Sequence, residues 1–287
     1  MISDRGMTRR ILVDRMGTAL AVGAVITALI PLGAMTAYVI AQGGSALSLS
    51  FFTQGPPAVE GQAIGGMFPM IVGSLILIGL TSCLGIPVGL LSGIYLWRYG
   101  AGSFGQAVRF VTDVIAGIPS ILAGVIAFAL VVLPTGTYSA YSAAIALALL
   151  MFPTVTRATE TALGAVPTEL REAALGLGAT EWRVVVRVVV PTAASGIVTA
   201  VVLGIARVTG ETAPLVFTAN GLPVVSTNIF GPMGALPLQI WQDANTPFAT
   251  DHQAAFAGAL VLFGIILALN LIARILTYRL SRRTRIT

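Results

Sequence analysis

The chain has 287 residues, of which 56% are hydrophobic and only 9% charged, with a mean hydropathy of +0.92. An ordinary soluble domain carries about 25% charged residues, so a water-soluble globule is excluded and lipid is the solvent that fits. The formal charge of +5 comes from sixteen arginines against eleven acids, with no lysine; the arginines stand in short tails and loops without interleaved aromatics, which argues against a nucleic-acid partner and fits retention of basic residues on the cytoplasmic side of a membrane.

Six apolar stretches follow in chain order, at about Gly17 to Ala41, Pro69 to Trp97, Val114 to Leu133, Tyr138 to Thr154, Ala193 to Phe217 and Ala254 to Leu276. Most reach the ~20 residues needed to cross ~30 Å of hydrocarbon. The first is longer than the 7–15 residues typical of a signal-peptide core, so an uncleaved helix is expected. Pro87, after Gly85, predicts a kink in the second. Cys83, the only cysteine, lies in that stretch and is expected to be a small packed residue. His252, the only histidine, falls at the outer end of the sixth. With one cysteine and one histidine, neither an internal disulfide nor a Cys/His metal cluster is possible, and no metal site or other cofactor is expected.

Fifteen of the sixteen arginines fall before the first stretch, in the last turn of the sixth or after it, or in the second–third and fourth–fifth connections. The alternate connections, 42–68, 134–137 and 219–253, hold none and carry Glu60, Asp243 and Asp251 instead. Six spans with both termini cytoplasmic satisfy the positive-inside rule. The fold class expected is therefore all-α and polytopic. A cytoplasmic tail at 1–16 precedes a six-helix domain at 17–276, and a second tail covers 277–287. A short helix is expected near Leu238 to Ala244 in the last outer connection. Without lysine no standard P-loop is possible, so ATP-driven work must be powered by a partner and the chain itself is expected not to be an enzyme.

The cytoplasmic connection at about 157–191 reads as a helix–turn–helix elbow. Pro167 suits a first helical turn, Glu169 favours the positive end of the dipole, and Gly176 and Gly178 suit a helix stop. Thr180 can cap a second helix. The small residues Ala173, Ala174 and Gly178 would let another protein approach the backbone. The run Val184 to Val190 is ambiguous between strand and helix. Glu172-Ala173-Ala174, then Gly178, Val188 and Val190-Pro191, resembles the EAA loop of ABC-transporter permeases. In that family this loop forms coupling helices that dock into a groove of the ATP-binding subunit.

Arg207 is the sixteenth arginine, and loop placement does not explain it. Counted from Ala193 it stands about 21 Å along its helix, at ~1.5 Å per residue, within the hydrocarbon. Burial there costs at least ~2.5–3.5 kcal/mol on insertion scales. Glu211, at i+4, can offset this by pairing. Pro214 deprives the Gly210 carbonyl of its helical partner, so the helix should loosen just beyond the pair. Loosened, charged backbone at membrane depth must face protein or water. Residue chemistry alone leaves two readings of the pair: a transport pathway, or an ion pair that fixes helix packing.

The run Arg207-Val208-Thr209-Gly210-Glu211-Thr212-Ala213-Pro214-Leu215 resembles the signature of PstA-type permeases of phosphate-specific ABC transporters. Ala116-Gly117-Ile118-Pro119-Ser120-Ile121 and Leu236-Pro237-Leu238-Gln239-Ile240-Trp241 resemble two further segments of that family. The resemblance implies a MetI-like ABC-importer permease fold in a bacterial inner membrane and uptake of inorganic phosphate. It also implies three partners: a PstC-type second permease, a PstB-type ATP-binding dimer and a PstS-type extracytoplasmic binding protein. Under it, Arg207 is expected to contact phosphate through its planar fork of donors, with Glu211 holding that fork. A permease for another oxyanion, such as sulfate or molybdate, and a regulatory membrane subunit for phosphate signalling are the alternatives.

Overall fold

The structure is a computed structural model that describes residues 4–284. It is helical throughout; among the described residues the only β-type pairing is the isolated bridge between Asn220 and Met233. We number the helices α1 Asp4–Gly43, α2 Phe68–Tyr99, α3 Ser103–Gly117, α4 Ser120–Ala127, α5 Ala140–Gly164 and α6 Thr168–Gly176. They continue with α7 Glu181–Val184, α8 Ala194–Thr209, α9 Ala213–Thr218, α10 Leu236–Ala244 and α11 Ala249–Thr284. Wider, π-type turns prolong α4 through Phe128–Val132 and α7 through Val185–Val189, so the ambiguous valine run is helical.

Among the described residues four helices are long and apolar enough to cross a membrane, or up to six if each of two bent pairs is one span. The first pair joins Ser103–Gly117 to Ser120–Thr135 at 106°, and the second joins Glu181–Thr192 to Ala194–Thr209 at 72°. The first bend has a local cause. A residue before proline is pushed out of the helical region, and Ile118 adopts φ −70°, ψ 128° ahead of Pro119. Residues 114–117, expected at the head of the third span, therefore belong to the separate helix α3. The fourth apolar stretch, expected to stop near Thr154, continues as α5 to Gly164. The polar residues that end its hydropathy, Arg157 and Glu160, are paired: Arg157 with Asp113 of α3 and with Glu160, and Glu160 also with Arg109. These ion pairs hold α3 against the lower part of α5.

The tails expected at 1–16 and 277–287 are, where described, extensions of α1 and α11. α2 runs through Pro87 as one uninterrupted helix. Cys83 is a correction. It is exposed on α2, together with Leu84, Pro87, Val88 and Leu91.

The centre of the bundle is the contact of α2 with α5. Gly85, Gly89 and Gly93 form an i, i+4, i+8 stripe on α2; a methyl group at Gly89 would come within 2.7 Å of Val155 Cβ, and one at Gly93 within 2.7 Å of the Thr156 carbonyl oxygen. Helices in lipid gain little from apolar burial alone, so small residues that admit close backbone approach decide where they pack. Around this seam Leu77, Leu147, Leu150, Met151, Val155, Val208 and Leu215 are buried together. α1 lies outside the bundle against α11, where Tyr38 meets Phe256 edge to face at 5.5 Å. Its Leu20, Ile30 and Met35 are exposed, a face suited to lipid or to another membrane chain.

Candidate functional site

Two regions carry the chemistry anticipated from the sequence, and the first is the break between α8 and α9. α8 ends at Thr209; Gly210 sits at φ −97°, ψ 2°, and α9 resumes at Ala213 with Pro214 in its first turn, where no backbone donor is needed. The segment is anchored rather than loose. Pro214 and Leu215 are buried. The Thr218 hydroxyl donates to the Pro214 carbonyl at 2.8 Å, and the Ser139 N–H donates to the Thr218 carbonyl at 3.0 Å. α4 closes over it: a methyl group at Gly124 would lie 2.7 Å from Pro214 Cα.

Arg207 stands near the end of α8, exposed on the surface of this single chain. Its Nη1 donates to Thr154 Oγ1 at 3.2 Å, and its remaining guanidinium donors have no hydrogen bond among the described residues. Thr154 is the fifteenth residue of α5, hence about 21 Å from the helix's N-terminal end at ~1.5 Å per residue. Arg207 is therefore held near the middle of a span. Glu211 is half-buried, and among the described residues no ion pair joins it to Arg207. The i+4 pairing expected from the sequence requires a continuous helix, and Gly210 interrupts it. What results is a guanidinium with open donors facing outward at membrane depth. Lipid does not tolerate that group, so another protein chain or water must cover this face. Thr154 was not anticipated; its only sequence signal is a hydroxyl beside Pro153 in an apolar span.

The second region is the elbow. α6 begins after Pro167 with Glu169 in its first turn and ends at Gly176. Gly178 has φ +83°, a conformation that glycine adopts without the Cβ clash. Its N–H donates to the Leu175 carbonyl at 2.9 Å and that of Ala179 to the Ala174 carbonyl at 3.2 Å, the paired bonds of a Schellman helix stop. α7 then starts after Thr180, whose backbone is extended and whose side chain makes no capping bond. Glu172, Ala173 and Gly178 are exposed. Ala174 instead turns inward, with Leu175 and Ala179, against Leu163, Val184 and Val189. Pro191 is exposed beside the bend that leads into α8.

Two features of the elbow were not legible beforehand. Glu181 accepts ion pairs at 3.0 Å from both Arg171 of α6 and Arg98 in the last turn of α2, fastening the elbow to the bundle. Leu177 and Trp182 are 90% and 71% exposed. These bulky apolar groups project from the elbow and suit contact with another protein.

A helical bundle with a broken, arginine-bearing span and an elbow between its helices fits a membrane transport subunit. Residues 85–286 match the family described as "Binding-protein-dependent transport system inner membrane component". Solved structures agree in fold. A chain of the bacterial alginate ABC transporter superposes with a TM-score of 0.66 at 15% identity, covering 95% of this chain and 97% of that one. A chain of the inward-facing MetNI methionine ABC transporter gives 0.61 at 20% identity, covering 75% and 97%. Among curated relatives, the phosphate transport system permease protein PstA of Haemophilus influenzae is 38% identical, covering 82% of this chain and 83% of the relative. The PstA 1 protein of Mycobacterium tuberculosis is 36% identical, covering 97% and 92%. The chain belongs to the PstA-type permease family within the binding-protein-dependent inner membrane components.

Proposed function

We propose that this chain forms one half of a membrane pathway for inorganic phosphate, and that Arg207 contacts the anion in transit. The observation that carries this reading is the outward-facing guanidinium of Arg207, with open donors, at the break of the fifth span. A tetrahedral oxyanion would meet the planar fork that arginine offers. A second, PstC-type permease would cover the exposed face, so that the pathway lies between two chains. Glu211, one peptide beyond the Gly210 break, would lower the net positive charge of the empty site and keep the anion's grip weak enough for release.

The energy comes from elsewhere. A sequence without lysine has no standard P-loop, so a PstB-type ATP-binding dimer would dock on Glu172, Ala173, Leu177 and Gly178. Because Glu181 bonds both Arg98 and Arg171, movement of the elbow would pass directly to α2. A PstS-type protein would deliver phosphate at the other face. Competition in vesicles tests the substrate: unlabelled phosphate should suppress uptake of labelled phosphate, and equimolar sulfate or molybdate should not. Equal suppression by sulfate would transfer the assignment to another oxyanion.

The arginine asymmetry supports a cytoplasmic position for both termini. In a Cys83→Ala background, an impermeant thiol reagent is expected to label Glu60→Cys and Asp243→Cys in intact cells. Gly176→Cys and Arg282→Cys should react only after the membrane is opened. External labelling at Gly176→Cys would overturn this topology.

A further inference from the structure

The connections on the outer side enclose a pocket of about 410 Å³ between residues 56–60, residues 220–223, α10 and the start of α11. Its lining includes three carboxylates, Glu60, Asp243 and Asp251, and no cationic side chain. The connections 42–68 and 219–253 contain no arginine, and the chain has no lysine, so neither loop brings a charge to balance them. Asp251 is only 6% exposed. Its Oδ1 accepts the Gly61 N–H at 3.1 Å, and the Thr250 hydroxyl lies 3.5 Å from the same atom. Its Oδ2, buried, has no hydrogen-bond partner among the described residues. Asp251 thus brings a carboxylate that the described residues leave half unpaired to the wall of a pocket lined by two further carboxylates.

The chemistry of a ligand for this pocket is narrow. Two like charges and a third at the rim ask for a cation. Among the described residues no group of three or more acidic, imidazole or thiol side chains is arranged to hold a metal ion. The lining adds Asn220, Gln239 and Gln242, whose amide carbonyls accept N–H donors, and the space exceeds that of a bare ion. We propose that this pocket receives the guanidinium or ammonium group of a basic side chain on a protein that docks at the outer face. It deepens the function proposed above, and rests on it, by giving the docked protein one recognisable contact. The wall at 220–223 leaves directly from α9, the second half of the broken span.

A pH dependence follows. Burial, then the neighbouring Asp251 and Glu60 charges, push the Asp243 carboxyl up to about 6, while the Gln239 amide, 2.7 Å away, opposes the shift. His252, beside Asp251, has its Nε2 2.8 Å from the Thr246 carbonyl oxygen. Asp243 is thus ionised at pH 7.5 and neutral at pH 5, and cation binding should weaken as pH falls through 6.

Saturation-transfer NMR on the purified transporter in phosphatidylcholine nanodiscs, in phosphate-free buffer, tests this directly. The probe is Nα-acetyl-arginine methyl ester, and the neutral comparison is its citrulline analogue. The arginine ester is expected to bind at pH 7.5 at least tenfold more tightly than the citrulline ester and to weaken at least tenfold at pH 5. An assembled Asp243→Asn/Asp251→Asn variant should lose the preference. The ester comparison and the pH series use the unaltered protein, so they decide the matter even if the variant fails to assemble. Equal binding of the two esters, unchanged arginine-ester binding in the variant, or stoichiometric calcium uptake that the variant loses would each overturn the proposal. None of these readouts depends on which anion the pathway carries.

Discussion

Arg207→Gln is expected to reduce phosphate uptake about 100-fold or more while the complex still assembles, because hydrogen bonds to charged groups contribute about 1.5–3 kcal/mol each and 1.4 kcal/mol is tenfold. Arg207→Lys should recover only part of the rate, since a point charge replaces a bidentate fork. Glu211 separates pathway from packing. If the two residues formed a structural pair, each single neutral variant would strand a buried charge and lower stability. The double variant Arg207→Gln/Glu211→Gln would then restore both assembly and transport. The observed geometry supports the other outcome, because Arg207 bonds Thr154 and no ion pair links it to Glu211. The double variant should therefore assemble and remain inactive. Uptake near the wild-type level in that variant would show that Arg207 serves packing alone.

The elbow should govern partner association more than folding. Gly178→Leu forces a branched residue into φ +83°, at a cost of about 1–2 kcal/mol, and adds bulk where a docked backbone must come close. Among the described residues, nothing beyond its chain neighbours lies within 4 Å of a Cβ placed there, so that Cβ meets no internal clash. Glu172→Lys reverses an exposed charge on α6. Both proteins should reach the membrane. Pull-down of the ATP-binding subunit should fall about tenfold or more, the scale of losing 1–2 kcal/mol at a contact, and uptake should fall with it. Undiminished association and uptake in both variants would remove this loop from the mechanism.

The membrane class and the helical bundle were legible because they rest on summed hydropathy, which local geometry does not disturb. The elbow was legible for a related reason: Pro167, Gly176 and Gly178 act on their own backbone, and the Schellman bonds form where glycine spacing allows them. Pairings across space were not. Apolar counting ended the fourth span near Thr154, because nothing in the sequence shows that Arg157 and Glu160 meet Asp113 and Arg109 on another helix. Cys83 was assigned to the interior from its apolar neighbours. In lipid, however, apolar neighbours occur on the outward face as well, and the inward face of α2 is marked instead by the Gly85, Gly89, Gly93 stripe. The Arg207–Glu211 pairing failed on a rule applied past its domain. Spacing of i+4 brings side chains together only on an intact helix, and the Gly210 break that makes the site interesting also separates the pair.

Accumulation of radiolabelled phosphate by sealed vesicles holding the purified complex, with ATP on the side of the ATP-binding subunit and binding protein on the other, tests the central assignment most directly. ATP-dependent accumulation is expected, and it should stop when either ATP or the binding protein is withheld. An assembled complex that hydrolyses ATP in response to its binding protein yet accumulates no phosphate would contradict it.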